Sequence, residues 1–431
     1  MGLRDNRDMV YANIVQQGVA TLLFLFVPKM LGVSSYAQVT YVSTLLTFIS
    51  FADLGLSFVY GRRMPGIYAR NDIEEINLWN STILRFRLYT ALVFSGLISA
   101  IYLAKYGDYF NTALLFIIPP ISVAIQFFIA SSTSQQQFAV TRNINIWQSL
   151  ARLSTLPGVM YAGLRGWFIT QLITSLAVFA KREVKLVCVQ YWVGKVGISW
   201  KLIYDNLPEA IYLGLITTLW TQLLYSGKVF AVFMYPDVVI AQYGLAGAAY
   251  QVVSSLMVAA FIPQTIKAYK MLEEDQGEAV RYIFGVIVKA LPIIIAAVLI
   301  GVLMAPYFFN YIFPSFHVTS QLVMPLIVSL VSYPVIVSLG SLLVGTKRNK
   351  VYLAVISIWL LIDWILVEQL TPYFGYNSAA VAQLVSLSLY SVSLLGITMT
   401  IFPDSLKQKW QAYFAGGVGL ISMVLCLLLW H

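Results

Sequence analysis

Long apolar stretches recur from one end of this 431-residue sequence to the other. A hydrocarbon core about 30 Å thick is crossed by a helix of about 20 apolar residues. Only 10% of the residues are charged, against roughly 25% in soluble domains. Segments of alternating hydrophobicity, which are typical of an outer-membrane barrel, are absent from the sequence. The chain is therefore predicted to be an all-α polytopic membrane protein.

Polar breaks divide the sequence into thirteen predicted spanning helices. The first apolar run is too long for a signal-peptide core, so we expect it to remain as a spanning helix. The predicted helices cover residues 10–33, 36–60, 80–104, 110–130, 144–163, 166–187, 207–234, 238–262, 282–306, 319–344, 351–370, 377–402 and 411–430.

Lysine and arginine outside these helices are concentrated in every second loop. The alternate loops carry only Lys105 and Arg165. By the positive-inside rule, the N-terminus and the basic loops are cytoplasmic. The net charge of +9 therefore reflects membrane topology and contact with anionic headgroups, and we expect no nucleic-acid partner.

Residues suited to catalysis or to metal binding are scarce. The chain has two histidines, His317 and His431, and its two cysteines, Cys188 and Cys426, are far apart in sequence. Isolated cysteines form neither a metal-ligand cluster nor a disulfide framework, so both are interpreted as packing residues. The non-basic loops are short and leave little space for catalytic groups. We expect no enzyme activity, no metal and no cofactor.

Two stretches suggest an internal repeat. "YAQVTYVSTLLTFIS" aligns with "IAQYGLAGAAYQVVSS", which places Gln38 opposite Gln242, and a basic-then-acidic loop follows each. Further along, "VTRNINIW" around Arg142 aligns with "GTKRNKVYL" around Arg348 at nearly the same offset. Halves with an even number of helices enter the membrane the same way, as parallel repeats. The repeat predicts two pseudo-symmetric six-helix lobes around a central cavity.

The segment between the sixth and seventh predicted helices mixes lysine with Trp192 and Trp200 and is typical of an interfacial amphipathic segment. It divides the chain nearly in half. The predicted parts are an N-terminal lobe at 1–187, a cytoplasmic interfacial linker at 188–206, a C-terminal lobe at 207–402, and a basic loop with a thirteenth helix at 403–431.

Three stretches resemble a known family. "PKMLGVSSYAQVTYVSTLLTFISFADLGLSFVYGRR" is similar, in its proline, glycine, aromatic and D-x-G pattern, to the start of Wzx-type O-antigen flippases, which export polysaccharide. "VIAQYGLAGAAYQVV" and "TPYFGYNSAAVAQLVSLSL" resemble second-half signatures of that family. The resemblance covers about residues 10–402. Two features depart from it: Lys228 lies where many relatives carry an acid, and helix 411–430 lies beyond the common twelve.

The family belongs to the MOP superfamily, together with MATE drug exporters and MurJ flippases. The resemblance implies flipping of an undecaprenyl-diphosphate-linked oligosaccharide from the cytoplasmic to the periplasmic leaflet of a bacterial inner membrane. It also implies contact with membrane lipids, with a polysaccharide polymerase and with a chain-length regulator. The alternatives are a MATE-type cation-coupled drug or metabolite antiporter, although helix 10–33 lacks the usual acid, and a MurJ-type flippase, which has two extra C-terminal helices.

Charged residues inside the predicted helices are the candidate site, because intramembrane charges are costly and usually functional. Cations outnumber acids there, and this sign suits a diphosphate. Each candidate also has a structural interpretation, as a packing or snorkelling residue. The proposed substrate-binding cations are Arg152, Lys228, Arg85 and Lys289, and the proposed gating or coupling residues are Asp53, Asp363, Arg62, Arg142 and Arg348.

Asp53 needs a partner from another helix. Arg62 lies nine residues after it, which in a continuous helix is about 13 Å along the axis and on the opposite face. Arg85 and Arg87, on the third predicted helix, are the available cations. We therefore expect an interhelical ion pair near the cytoplasmic end of the helices.

Overall fold

The structure is a computed structural model, and it describes residues 3–193, 196–346 and 348–402. The predicted helix at 411–430 lies outside these residues. The described residues are helical throughout apart from short connections and contain no strand. Among these described residues, seven helical stretches are long and apolar enough to cross a membrane by length and composition. The predicted class, an all-α polytopic membrane protein, is confirmed.

The backbone divides into two compact units, and the boundary between Thr218 and Leu219 lies inside one helix. That helix, α8, begins in the first unit and ends in the second. The helices up to this point are α1 (Leu3–Thr47), α2 (Leu56–Arg70), α3 (Ile73–Tyr106), α4 (Tyr109–Ser134), α5 (Phe138–Arg152), α6 (Thr155–Phe179), α7 (Arg182–Val193) and α8 (Trp200–Leu224).

The second unit is also helical throughout its described residues, apart from short connections. One long helix is followed by another of similar length, and short 3₁₀ turns separate the later helices. Its helices are α9 (Ser226–Met234), α10 (Asp237–Glu274), α11 (Gln276–Ile312), α12 (Thr319–Ser329), α13 (Tyr333–Gly345), α14 (Asn349–Phe374) and α15 (Ser378–Ile401).

Two predicted loops are single-glycine kinks. Gly32, with φ of +68°, interrupts α1 between the first two predicted spans. Gly163, with φ of +54°, interrupts α6 between the fifth and sixth. Glycine adopts positive φ without a steric penalty, so a chain reverses there with almost no loop. The predicted breaks are therefore confirmed, although each is shorter than a conventional loop.

The predicted end of the sixth span is wrong. The predicted span runs to residue 187, whereas α6 ends at Phe179 and a separate helix, α7, begins at Arg182. The apolar residues of α7 pack against α3 and α4 through Val184, Cys188 and Tyr191. The junction, AKREVK, is mostly charged, and the predicted span crossed it because apolar residues resume at Leu186.

The continuous helix predicted for 36–60 is also wrong. The chain turns through a short 3₁₀ segment, Phe48–Phe51, and then through two residues with positive φ, Leu54 (+53°) and Gly55 (+83°), before α2 begins. The repeat places the same point of the second half near Met257, where α10 continues without a break. The interruption therefore belongs to the first half alone.

Gly55 allows α2 to approach α8 very closely. A methyl group on Gly55 would lie 2.0 Å from the carbonyl oxygen of Ala210, and one on Gly214 would lie 2.8 Å from the Cα of Gly55. Two backbones touch here with no side chain between them. Small residues have this role in many membrane helix contacts.

We expect Gly55→Ala to lower stability by about 3 kcal/mol, because the added methyl group overpacks the contact and the residue keeps a strained positive φ. Gly61→Ala is the matched control, since Gly61 lies in α2 with nothing near its Cβ position. Thermal unfolding of both variants in detergent measures the difference. Equal melting temperatures for the two variants would contradict the close contact.

Candidate functional site

Asp53 and Arg87 form a buried ion pair at the break before α2. Arg87 Nε lies 3.1 Å from Asp53 Oδ2, and the two side chains are 11% and 5% exposed. The N–H does not point along this line, so the contact is electrostatic rather than a linear hydrogen bond. Arg87 also donates to Gln126 Oε1 on α4 at 3.4 Å. The expected interhelical pair thus forms with Arg87, not with Arg85.

The same aspartate stabilises the turn that interrupts the helix. Asp53 Oδ1 accepts a hydrogen bond of 2.9 Å from the backbone N–H of Gly55. This is the local side-chain-to-backbone bond with which aspartate favours turns. One carboxylate therefore satisfies a backbone donor freed by the break and neutralises a cation from the next helix.

A buried polar network continues from the pair toward the ends of α2 and α4. Tyr60 Oη donates to Asn80 Oδ1 at 2.5 Å, and Asn80 Nδ2 donates to Tyr68 Oη at 3.0 Å. Gln135 Nε2 donates to the same Tyr68 Oη at 3.1 Å, and Ser131 Oγ lies 3.2 Å from it. Hydrogen-bonded networks of this kind hold polar groups that would otherwise be costly to bury. The network fixes α2 against α3 and α4.

Glu209, on α8, holds both arginines of the GRR sequence. Its Oε1 lies 2.8 Å from Arg62 Nη1, and its Oε2 lies 3.2 Å from Arg63 Nη2. The three side chains are between 34% and 58% exposed, so each pair contributes at most about 1 kcal/mol. Together with Gly55 and Gly214, these pairs form what we call the α2–α8 contact.

Arg85 fastens the linker that leads to α8. Its Nε and Nη2 donate to the backbone oxygen of Trp192, at 3.1 Å and 2.6 Å. The neighbouring Tyr89 ring lies 5.8 Å from the Trp192 ring, and Phe86 meets Trp200 edge to face. α3 therefore contacts the chain on both sides of the short connection between α7 and α8.

Two predicted binding cations, Arg152 and Lys289, have no partner among the described residues, and Lys289 lies in a helix long and apolar enough to span a membrane. Arg152 is the last residue of α5, next to the break at Leu153 and Ser154. It is partly buried and makes neither an ion pair nor a hydrogen bond there. Lys289 lies 13 residues into α11 and is exposed on its surface. Arg152 combines burial with a free guanidinium, which is the arrangement that an anionic ligand would use.

Lys228 lies beside a second helix break. α8 ends at Leu224 and α9 begins at Ser226, and the Lys228 stem packs against Gly247 of α10, whose Cβ position is 3.3 Å from the Lys228 Cδ. Gln383, on α15, satisfies the backbone freed by the break. It accepts from the Gly227 N–H at 3.0 Å and donates to the Leu224 oxygen at 2.7 Å.

Asp363 is completely buried in the second unit. Neither carboxylate oxygen has a hydrogen-bond partner among the described residues. The hydroxyls of Ser226, on α9, and Ser386, on α15, lie next to this carboxyl. Neither hydroxyl has a well-aligned hydrogen-bond partner among the described residues. A buried carboxyl with unused hydroxyls around it is suited to bind a proton or a small cation.

Arg142 and Arg348 occupy corresponding places in the two halves. Arg142 is in the first turns of α5 and donates to the Asn143 side chain, and Arg348 immediately precedes α14. Both lie near the start of a helix rather than in the middle of a span. The structure thus brings Asp53 together with Arg87 and places Arg62 on Glu209, whereas the other candidates are spread over several helices.

Three residues of these contacts were not predicted. Glu209 follows Pro208 at the start of a predicted helix and looks like an ordinary helix-terminal acid. Gly214 is one of many glycines, and Gln383 is an uncharged residue in an apolar run. Nothing in the sequence distinguishes them, because their role depends on which helix faces them.

No family model matches the sequence, and no curated protein sequence matches it. Solved structures do. "Lipid II flippase MurJ, inward closed conformation" matches with a TM-score of 0.67 and 13% identity over 100% of this chain and 99% of that one. An inward-facing multidrug resistance MATE family transporter of the MOP superfamily matches with a TM-score of 0.65 and 14% identity over 91% and 96%. A mutant of the Vibrio cholerae MATE transporter VcmN matches with a TM-score of 0.59 and 12% identity over 95% and 97%.

These likenesses extend over almost the whole of each chain. The protein therefore has the fold of MOP-superfamily transporters, and it is a multi-pass membrane protein. At this level of identity the likeness defines the fold and leaves the substrate to be argued from the chain's own residues.

Removing one member of the Asp53–Arg87 pair leaves a buried charge unpaired, at a cost of about 3 to 5 kcal/mol. We expect Asp53→Asn, which keeps the Gly55 acceptor, and Arg87→Gln each to lower the melting temperature strongly. The double variant should regain part of the loss. A double-mutant cycle by thermal unfolding in detergent measures the coupling.

The Arg70–Glu75 pair is the control, because its side chains are 66% and 36% exposed and its loss should cost under about 1 kcal/mol. Strictly additive effects of Asp53→Asn and Arg87→Gln would mean that the pair contributes nothing.

Proposed function

We propose that this protein flips an undecaprenyl-diphosphate-linked oligosaccharide from the cytoplasmic to the periplasmic leaflet of a bacterial inner membrane. Arg152 carries the proposal, since it is a partly buried guanidinium at the end of α5 without a partner among the described residues. Guanidinium groups bind phosphate oxygens in a bidentate manner. The likeness to a lipid II flippase over the full length supports a lipid-linked substrate.

Charge balance inside the membrane supports an anionic substrate. Arg87 is neutralised by Asp53, whereas Arg152 and Lys289 have no partner among the described residues. Lys228 is the third candidate diphosphate-binding cation. Arg85 is the fourth proposed cation, with fewer donors left for a phosphate, because two of its nitrogens already donate to the Trp192 oxygen. Binding the diphosphate on these cations, while the prenyl tail stays in lipid, avoids moving phosphates through hydrocarbon.

The α2–α8 contact is the proposed gate on the side that we assign to the cytoplasm. The contact lies within the first unit, so its opening would release the start of α8 from α2. The glycine contact gives close packing without interlocking side chains, and the Glu209 pairs are weak because they are exposed. Asp53, which is bonded to the Gly55 N–H and paired with Arg87, would stay fixed as the gate opens.

Asp363 is the proposed coupling residue. A proton that enters from one side would bind to this buried carboxyl, beside the Ser226 and Ser386 hydroxyls, and be released when the site becomes hydrated. Sodium is the alternative ion. Loss of transport in Asp363→Asn together with pH-independent residual transport would distinguish a proton from sodium.

Deletion in the native host should abolish the surface polysaccharide, and intact lipid-linked repeat units should accumulate on the inner leaflet. After complementation with Arg152→Ala or Lys228→Ala, surface glycan should stay about tenfold or more below the wild-type level. The reason is that a loss of about 1.4 kcal/mol in binding lowers affinity tenfold. Arg70→Ala is the control. Surface-glycan immunoblotting and fractionation of lipid-linked sugars measure both quantities.

Wild-type export by both alanine variants would exclude the proposed cations. Unchanged glycan with altered drug sensitivity after deletion would instead favour the MATE-type antiporter, whose fold the chain shares.

Charge reversal tests the gate. Glu209→Arg should repel Arg62 and Arg63 and expose Ala210, which is fully buried in the structure. The variant Ala210→Cys, in a background that carries Cys188→Ala and Cys426→Ala, should then react several-fold faster with a membrane-impermeant maleimide. Adding Arg62→Glu and Arg63→Glu should restore slow labelling by re-forming the pairs. A labelling rate that is the same in the wild-type background and in both sets of charge variants would contradict the gate.

A further inference from the structure

An apolar groove lies between α7 and the helices α3, α4 and α6. It has a volume of about 260 Å³, which is below the roughly 300–1,000 Å³ of pockets for whole drug-sized ligands. It therefore accommodates a segment of one chain rather than an entire molecule. The residues that line it are apolar and include Leu84, Leu88, Ile121, Ala124, Val189 and Trp192.

The face of α7 that borders this groove carries positive charge at its beginning. Lys185 precedes Cys188, Val189 and Trp192 by three, four and seven residues, so all four share one side of the helix. Lys185 is exposed. Lys181, just before the helix, lies one turn further along the same line, with its Nζ 4.4 Å from the centroid of the Trp147 ring. Cations stand at one end of α7, and an apolar groove lies at the other.

We propose that the α7 groove binds one acyl chain of an anionic bilayer phospholipid whose phosphate lies at Lys185 and Lys181. Basic residues beside apolar surface on the cytoplasmic side of membrane proteins attract anionic lipids, at about 1 kcal/mol per lysine near the surface. The volume matches part of a chain, and the charge matches a phosphate. Both requirements are met by one lipid lying along α7.

The site would hold the linker in place. α7 contacts α3 and α4, and Cys188 Sγ donates to the Ala124 oxygen at 3.6 Å. A chain seated beside this contact would fill the space under Val189 and Trp192 and keep α7 on the first unit. Arg85 fastens the end of the same helix through the Trp192 oxygen. The bound lipid would thus set the position from which α8 begins.

The test is retention of lipid by the purified full-length protein, which does not depend on glycan export. Native mass spectrometry compares dioleoyl phosphatidylglycerol with dioleoyl phosphatidylcholine at equal concentration. Val189→Trp fills the groove from its exposed edge, and Gln190→Trp places the same bulk one residue on, outside the groove. We expect at least fivefold preference for phosphatidylglycerol, a fivefold or greater loss with Val189→Trp, and no change with Gln190→Trp.

Lys185→Gln separates charge from shape, because it should remove the phosphatidylglycerol preference while the groove remains open. Equal retention by Val189→Trp and Gln190→Trp would overturn the groove as the binding site. Equal retention of the two phospholipids by the wild type would overturn the anionic headgroup. Displacement of phosphatidylglycerol by an equal concentration of undecaprenyl phosphate would also overturn the proposal, since the groove would then belong to the substrate tail.

Discussion

The buried pair between Asp53 and Arg87 is the interaction on which the first unit depends. A helix that breaks within a membrane protein leaves backbone donors without partners, and these are costly in hydrocarbon. Asp53 satisfies the Gly55 N–H and at the same time neutralises a cation from α3. The break can therefore persist, and with it the approach of α2 to α8 through Gly55.

Two kinds of contact follow from this break, and they differ in strength. The Asp53–Arg87 pair and the tyrosine network are buried, so losing one partner is expensive. The pairs of Glu209 with Arg62 and Arg63 are exposed and weak, although both arginines lie on α2, the helix that also carries the tyrosines of the network. A strong buried pair thus lies beside a weak exposed contact, which is the combination that the proposed gate would use.

The two halves place their buried polar groups at different points. In the first half, the helix breaks at Asp53, whereas α10 is continuous at the corresponding point of the second half. In the second half, the break lies between α8 and α9, where Gln383 satisfies the backbone near Lys228 and Asp363 is buried close by. The repeat therefore gives a common scaffold, and each half has acquired its own polar features.

The sequence by itself determined the membrane class and the need of Asp53 for an interhelical partner, because apolar length and the cost of buried charge are local properties. Hydropathy did not separate α6 from α7, and helix geometry did not separate Arg85 from Arg87. The tertiary structure decided those, together with the partners Glu209, Gly214 and Gln383. The physical reason is that helix periodicity fixes which residues share a face, whereas packing of whole helices decides what each face meets.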